Sequence, residues 1–181
     1  MTDELLKNQK DAMDAFLASD DSFQGFGFGS QAIQTGFEGK VEKFEFTPIQ
    51  GAGVNKRSQE QMLNTKKGPI MVSTKDEYSV APSIVFEGGA RQVTLNSLTS
   101  HPKSHIILEK DGDPLYFNKM SGKQWNALVG KEIVCVLAEN DESLKIPRVK
   151  RFGKEGDTEL RAVRRYAFAI KGAEPEGDIV W

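Results

Sequence analysis

The sequence has few of the residues from which catalytic and metal sites are usually built. It contains one cysteine and two histidines among 181 residues. The single cysteine, Cys135, cannot form a disulfide within the chain, and its apolar neighbours predict a buried, unreactive thiol. A reducing compartment suits such a protein, so we expect a cytoplasmic location, in a bacterium or in a virus-infected host cell.

Long apolar runs and targeting patterns are also missing. No stretch approaches the roughly 18 apolar residues that a membrane-spanning helix needs. The chain begins with the acidic sequence Met-Thr-Asp-Glu. A secretory signal would instead begin with basic residues followed by an apolar stretch. Charged residues make up 28% of the chain and apolar residues 38%, which is ordinary for a soluble protein. We therefore expect a soluble fold without membrane contact.

Recognisable catalytic motifs are absent as well. The sequence has no phosphate-binding loop, dinucleotide fingerprint, nucleophile elbow or paired zinc motif. His101 and His105 are separated by Pro102 and are predicted to be ordinary surface histidines rather than zinc ligands. Asp111 and Asp113 belong to an Asp-Gly-Asp-Pro sequence that predicts a hairpin turn rather than a calcium loop. We expect a protein that is not an enzyme and binds no metal or cofactor.

The most informative stretch that is present is a basic hairpin. Residues 144–152 and 159–171 read as two extended arms, and residues 153–158 between them are rich in turn formers. From Lys145 to Lys171 there are nine bases and three acids, a net charge of +6 in a chain of net charge −2. Like charges on one hairpin repel each other, which favours an anionic partner. The alternative is a charged hairpin that is simply solvated.

Nucleic acid is the anion that this hairpin suits best. Lysine and arginine would contact phosphates, and aromatic rings would stack on bases. Because stacking tolerates any base, we expect single strands with little sequence preference, and the choice between DNA and RNA stays open. The candidate nucleic-acid-binding residues are Lys145, Arg148, Lys150, Arg151, Lys154, Arg161, Arg164, Arg165, Tyr166, Phe152 and Tyr116.

The charge is segregated along the chain. Residues 1–21 hold six acids and two bases, and residues 174–181 hold three acids and no base, so the middle carries +5. We predict four parts. These are an acidic amphipathic helix at residues 1–21, a flexible arm rich in glycine and phenylalanine at 22–39, a β-barrel domain at 40–171, and an acidic tail with an apolar tip at 172–181.

The order of elements predicts a mainly β fold with a short N-terminal helix and one internal helix. A hairpin around residues 111–114 precedes a helix at 122–129 that Ser121 caps. A buried strand at 131–138, a polar turn at 139–143 and the basic hairpin follow. Pro147 places its arm at a sheet edge or a bulge. This order suits a small closed barrel, and the alternative is a β-sandwich.

The order of elements resembles that of OB-fold single-stranded DNA-binding proteins, in which a helix lies between the third and fourth barrel strands. In residues 174–181, acids followed by an apolar tip are similar to the tail of that family. The resemblance implies that Asp178, Ile179, Val180 and Trp181 bind replication proteins. The alternative is a tail that docks on the chain itself, with Trp181 in a local pocket.

Two functions therefore follow from the sequence. The first is non-catalytic binding of single-stranded DNA in replication, by a protein that could form homo-oligomers. The second is a structural or assembly role, as in a capsid or coat subunit. In that role the N-terminal helix and the phenylalanine-glycine arm would contact a neighbouring copy.

Overall fold

The computed structural model describes residues 3–23, 33–48, 61–65, 68–73, 80–88, 91–149 and 157–181. Side chains are described throughout these ranges except at positions 61, 62, 64, 65, 73, 148 and 149. The elements, in chain order, are α1 (Asp3–Leu17), β1 (Glu38–Pro48), β2 (Gln61–Thr65), β3 (Gly68–Ser73), β4 (Val80–Phe86), β5 (Gln92–Thr94), α2 (Leu95–Thr99), β6 (His105–Ile107), β7 (Leu115–Tyr116), a 3-10 turn (Phe117–Lys119), α3 (Gly122–Asn126), β8 (Glu132–Val149) and β9 (Thr158–Ile170).

Seven of the strands form one mixed sheet in the order β5–β4–β1–β8–β9–β6–β7, and β2 and β3 form a separate pair. Neighbouring strands are antiparallel except β6 and β9, which are parallel. The mainly β fold with a short N-terminal helix is confirmed. In the described part of the chain the seven-stranded sheet is open, with β5 and β7 at its edges, so the predicted closed barrel is not observed.

Helix α1 packs on the body of its own chain. Leu5, Ala12 and Met13 recur at helical spacing and are buried, and the Gln9 side-chain amide donates a hydrogen bond to the Val72 carbonyl of β3. The opposite face is exposed, including Leu6. Of the helices in the described ranges, none has the length and apolar character that crossing a membrane requires.

The core is organised around Trp125 of α3, which is fully buried. Its ring stacks on Phe117 with centroids 5.4 Å apart and makes an edge contact with Phe44 of β1. The predicted cap of α3 is confirmed, because the Ser121 hydroxyl accepts from the Gln124 N–H at 3.2 Å and the Gln124 side chain accepts from the Ser121 N–H at 2.8 Å.

The prediction of a single internal helix reaching residue 129 was wrong. Helix α3 ends at Asn126, and an additional short helix, α2, lies earlier in the chain. The Thr94 side chain caps α2 by accepting from the Ser97 N–H at 3.2 Å. A five-residue helix spans little more than one turn, so it leaves no helical repeat in the sequence to detect.

Strand β8 is longer than predicted. The buried strand and the first arm of the hairpin are one strand, and the polar segment predicted as a turn lies inside it. Asp141 is opposite Val163 and Lys145 is opposite Ala162, so residues 142–144 form a bulge without register partners. The bulge is held by Asp141, whose Oδ1 accepts from the Ser143 N–H at 3.0 Å and from its hydroxyl at 2.6 Å.

Cys135 lies in β8 and is fully buried. Burial raises the pKa of its thiol to about 12. The prediction of a buried thiol is confirmed, and the raised pKa agrees with an unreactive one.

Candidate nucleic-acid interface

Strands β8 and β9 form a long hairpin whose two ends differ. β1 pairs with β8 only at residues 132–134, and β6 pairs with β9 only at residues 167–169. We call residues 132–141 and 163–170 the hairpin root, and residues 144–149 and 158–162 the distal ribbon. Within the described residues the strands of the distal ribbon pair only with each other. The position of Pro147 in this ribbon, just after the bulge, agrees with the predicted edge or bulge.

Arg165 lies in the hairpin root, and its guanidinium group contacts other residues of the same chain. Its Nε and Nη2 donate to Glu139 Oε1 at 3.0 and 2.6 Å, and Nη1 lies 3.6 Å from Asp141 Oδ2. The guanidinium carbon lies 4.5 Å from the centre of the Trp181 ring. Only 22% of the side chain is exposed, so Arg165 is mainly a structural cation.

Arg164 points to the opposite side of β9 and is also engaged. Its Nε and Nη2 donate to the Ile33 carbonyl at 3.2 and 3.1 Å, and Nη2 also donates to Gln34 Oε1 at 3.2 Å. Nη1 donates to Asn140 Oδ1 at 3.3 Å. Arg164 therefore fastens the segment before β1 to the hairpin, and little of its hydrogen-bonding capacity is left for phosphate.

The prediction that Tyr166 stacks on bases was wrong. Tyr166 is only 2% exposed, and its ring packs on Phe168 in the core with centroids 6.2 Å apart. Burial raises the pKa of its hydroxyl. Tyr166 and Phe168 are two residues apart on one strand, so both point to the inner face of the sheet.

Lys145 and Arg161 are the two predicted cations that the structure places in the distal ribbon with described, exposed side chains. Lys145 Nζ lies 3.5 Å from Glu142, and Arg161 pairs with Glu159, its neighbour on the same side of β9. Ion pairs this exposed contribute little to stability, so both cations can exchange their partners for a phosphate.

For five other candidate nucleic-acid-binding residues, the structure does not describe the side chain. Arg148 lies in β8 opposite Glu159, but its side chain is not described. Lys150, Arg151, Phe152 and Lys154 lie outside the described residues, and their roles stay predictions.

Tyr116 of β7 is half-buried and remains a candidate for stacking. Its ring lies 5.6 Å from Lys119 Nζ and makes an edge contact with the His105 ring, with centroids 6.0 Å apart. A ring beside a cation at a sheet edge is the combination that binds bases in single strands.

The net charge of the basic stretch is lower when the acidic residues just before it in the chain are included. Glu139, Asp141 and Glu142 precede the nine bases counted above, so residues 139–171 carry nine bases and six acids, a net charge of +3. Residues 145–161 carry six bases and three acids, which is also +3. The rest of this stretch is therefore neutral, and its positive charge is confined to the distal ribbon and the residues that connect its strands.

The root contains a buried network of polar side chains that we did not predict from the sequence. His101 is 2% exposed, its Nδ1 accepts from the Lys103 N–H at 3.0 Å, and its Nε2 lies 2.8 Å from Asp141 Oδ2. The prediction of surface histidines was wrong for His101 and for His105, which is also buried. The Ser143 hydroxyl and then His101 hold the pKa of Asp141 well below its usual range.

The segment from 172 to 181 docks on the outer face of the same root. Ala173 is buried with Ile107 and Ala169, and the Trp181 ring makes an edge contact with the His105 ring, centroids 5.7 Å apart. Trp181 Nε1 donates to Glu139 Oε1 at 2.9 Å. Of the predicted partner-binding tip, Trp181 and Ile179 are half-buried, whereas Asp178 and Val180 are exposed.

The described part of the phenylalanine-glycine arm packs on this chain. Phe23 makes an edge contact with Phe16, and Phe37 makes one with Phe86. Phe26 and Phe28 lie outside the described residues. The assembly hypothesis required α1 and this arm to reach a neighbouring copy, and the buried face of α1 is already occupied by its own chain.

No protein-family model, curated protein or solved structure matches this chain. The resemblance to OB-fold single-stranded DNA-binding proteins therefore rests on the order of elements and on residues 174–181. In the described residues no group of three or more histidine, cysteine, aspartate or glutamate side chains is arranged to hold a metal ion.

Proposed function

We propose that this chain is a non-catalytic nucleic-acid-binding protein whose distal ribbon contacts the phosphates of a single strand. One observation carries the proposal: residues 145–161 carry a net charge of +3, while the rest of the hairpin, residues 132–144 and 162–170, has four acids and two bases. A cation patch of this kind attracts a polyanion by releasing its counterions.

The shape of the distal ribbon supports the same function. Its strands pair with no third strand within the described residues. Lys145 and Arg161 are exposed and bound only by weak surface pairs. A ligand phosphate can therefore replace Glu142 or Glu159 at little cost in free energy.

We favour a single strand over a duplex as the ligand because aromatic side chains can stack on unpaired bases, in addition to the contacts between cations and phosphates. Tyr116 is the described candidate, and Phe152 is the candidate within the basic stretch itself. An OB-like barrel remains the fold that we propose for this function, although the sheet in the described residues is open. Binding of replication proteins by residues 178–181 would require Trp181 to leave Glu139 and Arg165.

The test compares two double variants that remove equally exposed lysine or arginine side chains. Lys145→Ala with Arg161→Ala alters the distal ribbon. Lys40→Ala with Lys43→Ala alters β1, where both lysines are exposed and paired with Glu87 and Glu45. Affinity for a labelled single-stranded oligonucleotide is measured by anisotropy at several salt concentrations.

We expect the ribbon variant to bind more weakly and to lose about 0.7 from the salt slope for each phosphate contact removed. The β1 variant should keep the wild-type slope. Equal slopes for wild type and ribbon variant, or an equal loss in both variants, would refute the assignment to the ribbon. Absence of any binding by the wild type at low salt would refute the function itself.

A further inference from the structure

Trp181 is held against the hairpin root in an unusual combination of contacts. The Arg165 guanidinium lies 4.5 Å from the centre of its ring, and its Nε1–H donates to Glu139 Oε1 at 2.9 Å. The His105 ring meets it edge-on. A flat ring is thus stacked on a cation while a carboxylate accepts a hydrogen bond from the ring's N–H group.

These contacts are the ones that a nucleobase makes with proteins. Bases in single strands stack on arginine and aromatic side chains, and glutamate accepts hydrogen bonds from base N–H groups. We propose that Trp181 occupies a nucleobase-binding site and that a base of the bound strand replaces it. This inference rests on the proposed function, because it assumes that a single strand is the ligand.

The site would persist after Trp181 leaves. Arg165 is held in place by Glu139 and Asp141, and Asp141 is in turn held by His101 and Ser143. None of these contacts is made by Trp181, although Trp181 shares Glu139 Oε1 with Arg165. Such preorganisation lowers the free-energy cost of binding a new ring at the same place.

The position of the site fits a strand that also contacts the distal ribbon. Arg161 and Arg165 are four residues apart on β9, so both point to the same face, about 13 Å apart at 3.3 Å per residue. A short single strand with a phosphate at Arg161 could therefore place a base at Arg165. Val180, beside Trp181, is 89% exposed, so departure of the last two residues removes little other buried surface.

The carboxylate predicts which base is preferred. Guanine presents N1–H and N2–H side by side, and these match the two oxygens of one carboxylate. The thymine N3–H lies between two carbonyl oxygens that a carboxylate repels. The amino groups of adenine and cytosine each lie beside a ring nitrogen that is an acceptor. We therefore expect the site to prefer guanine.

The experiment uses the full chain and two 12-residue oligonucleotides, all-thymine and the same strand with one central guanine. Anisotropy gives the affinity of wild type, Trp181→Ala, Trp181→Phe and the control Val129→Ala, which truncates an exposed apolar side chain after α3. Trp181→Phe keeps a stacked ring but lacks the N–H donor. Glu139→Gln is added to Trp181→Ala to test the carboxylate.

We expect Trp181→Ala to bind the guanine-containing strand about fivefold tighter or more than wild type. Trp181→Phe should show a smaller gain, Val129→Ala none, and Glu139→Gln should abolish the guanine preference. Circular dichroism reports folding, and if Trp181→Ala does not fold, the gain is sought with Trp181→Phe.

Equal affinity of the folded Trp181 variants and wild type for the guanine strand would overturn the inference, and Trp181 would then be only a structural anchor. That result leaves the proposed function intact if the Lys145 and Arg161 variant still loses binding. Loss of binding by every protein, wild type included, would overturn both.

Discussion

The hairpin root and the distal ribbon are built from the same two strands, but the arginines in these two regions have different partners. Arg165 in the root lies directly opposite Glu139 in the register, and the two side chains are bonded. Arg161 in the ribbon lies opposite Ile146, and its acidic partner is a neighbour on its own strand. The register therefore decides which arginine is paired with an acid across the hairpin and which is paired only within its own strand.

This difference shows why a charge count along the sequence overstates an electrostatic patch. The acids that neutralise the root come earlier on β8, and only strand pairing brings them to the arginines of β9. Once they are included, the net positive charge lies within residues 145–161, at the end of the hairpin away from the root. Binding and folding can then depend on different residues of one element.

The largest expected contrast is in packing. Phe168 of the root is buried against Phe117, so Phe168→Ala should lower the free energy of unfolding by about 3–5 kcal/mol. Leu160 of the ribbon is 67% exposed, and Leu160→Ala should change the free energy of unfolding by less than about 0.5 kcal/mol. Denaturant unfolding followed by tryptophan fluorescence checks both. A large loss for Leu160→Ala would show that a partner surface covers the ribbon.

The second contrast is between the two arginines. Arg165→Ala breaks the pair with Glu139 and the contact with Trp181, and should cost about 2 kcal/mol of stability. Arg161→Ala removes an exposed pair and should cost less than about 0.5 kcal/mol. The order should reverse for affinity to an all-thymine strand, which the proposed nucleobase site at Arg165 disfavours, so Arg161→Ala should lose more. The same order in both measurements would remove the distinction between root and ribbon.

Local sequence patterns predicted the features that depend on neighbouring residues. The capping box of α3 needs Ser121 and Gln124, three positions apart, and the hairpin arms need only alternation on each side of a turn. The N-terminal helix and the mainly β composition were predicted for the same reason. Each of these features is specified within a short window of the chain.

The missed features join residues that are distant in the chain. His101 meets Asp141 across 40 residues, and Arg164 meets Ile33 across 131. The first contact depends on the pairing of β9 with β6 and β8, and the second on the pairing of β8 with β1 and β9. No local pattern specifies these pairings. For the candidate site, sequence reasoning found the basic stretch, but it could not separate the arginines used in folding from those left exposed.

The smallest expected effect concerns pH and tests the root alone. The hydrogen bonds from Ser143 and His101 hold the pKa of Asp141 below its unfolded value of about 3.9. A group whose pKa is lowered on folding stabilises the protein above the unfolded pKa and loses that contribution as the pH falls. Wild-type stability should therefore decline below about pH 5, whereas Asp141→Asn should start lower at pH 7 and decline less.

Denaturant midpoints at pH 7 and pH 3 measure this difference, with Asp113→Asn as the control, because Asp113 is an exposed carboxyl in the turn before β7. The control should follow the wild type at both values. Parallel decline of wild type and Asp141→Asn would mean that other carboxyls govern the acid response. Convergence of the two midpoints at pH 3 would instead show that the acid response of the root depends on the Asp141 carboxylate.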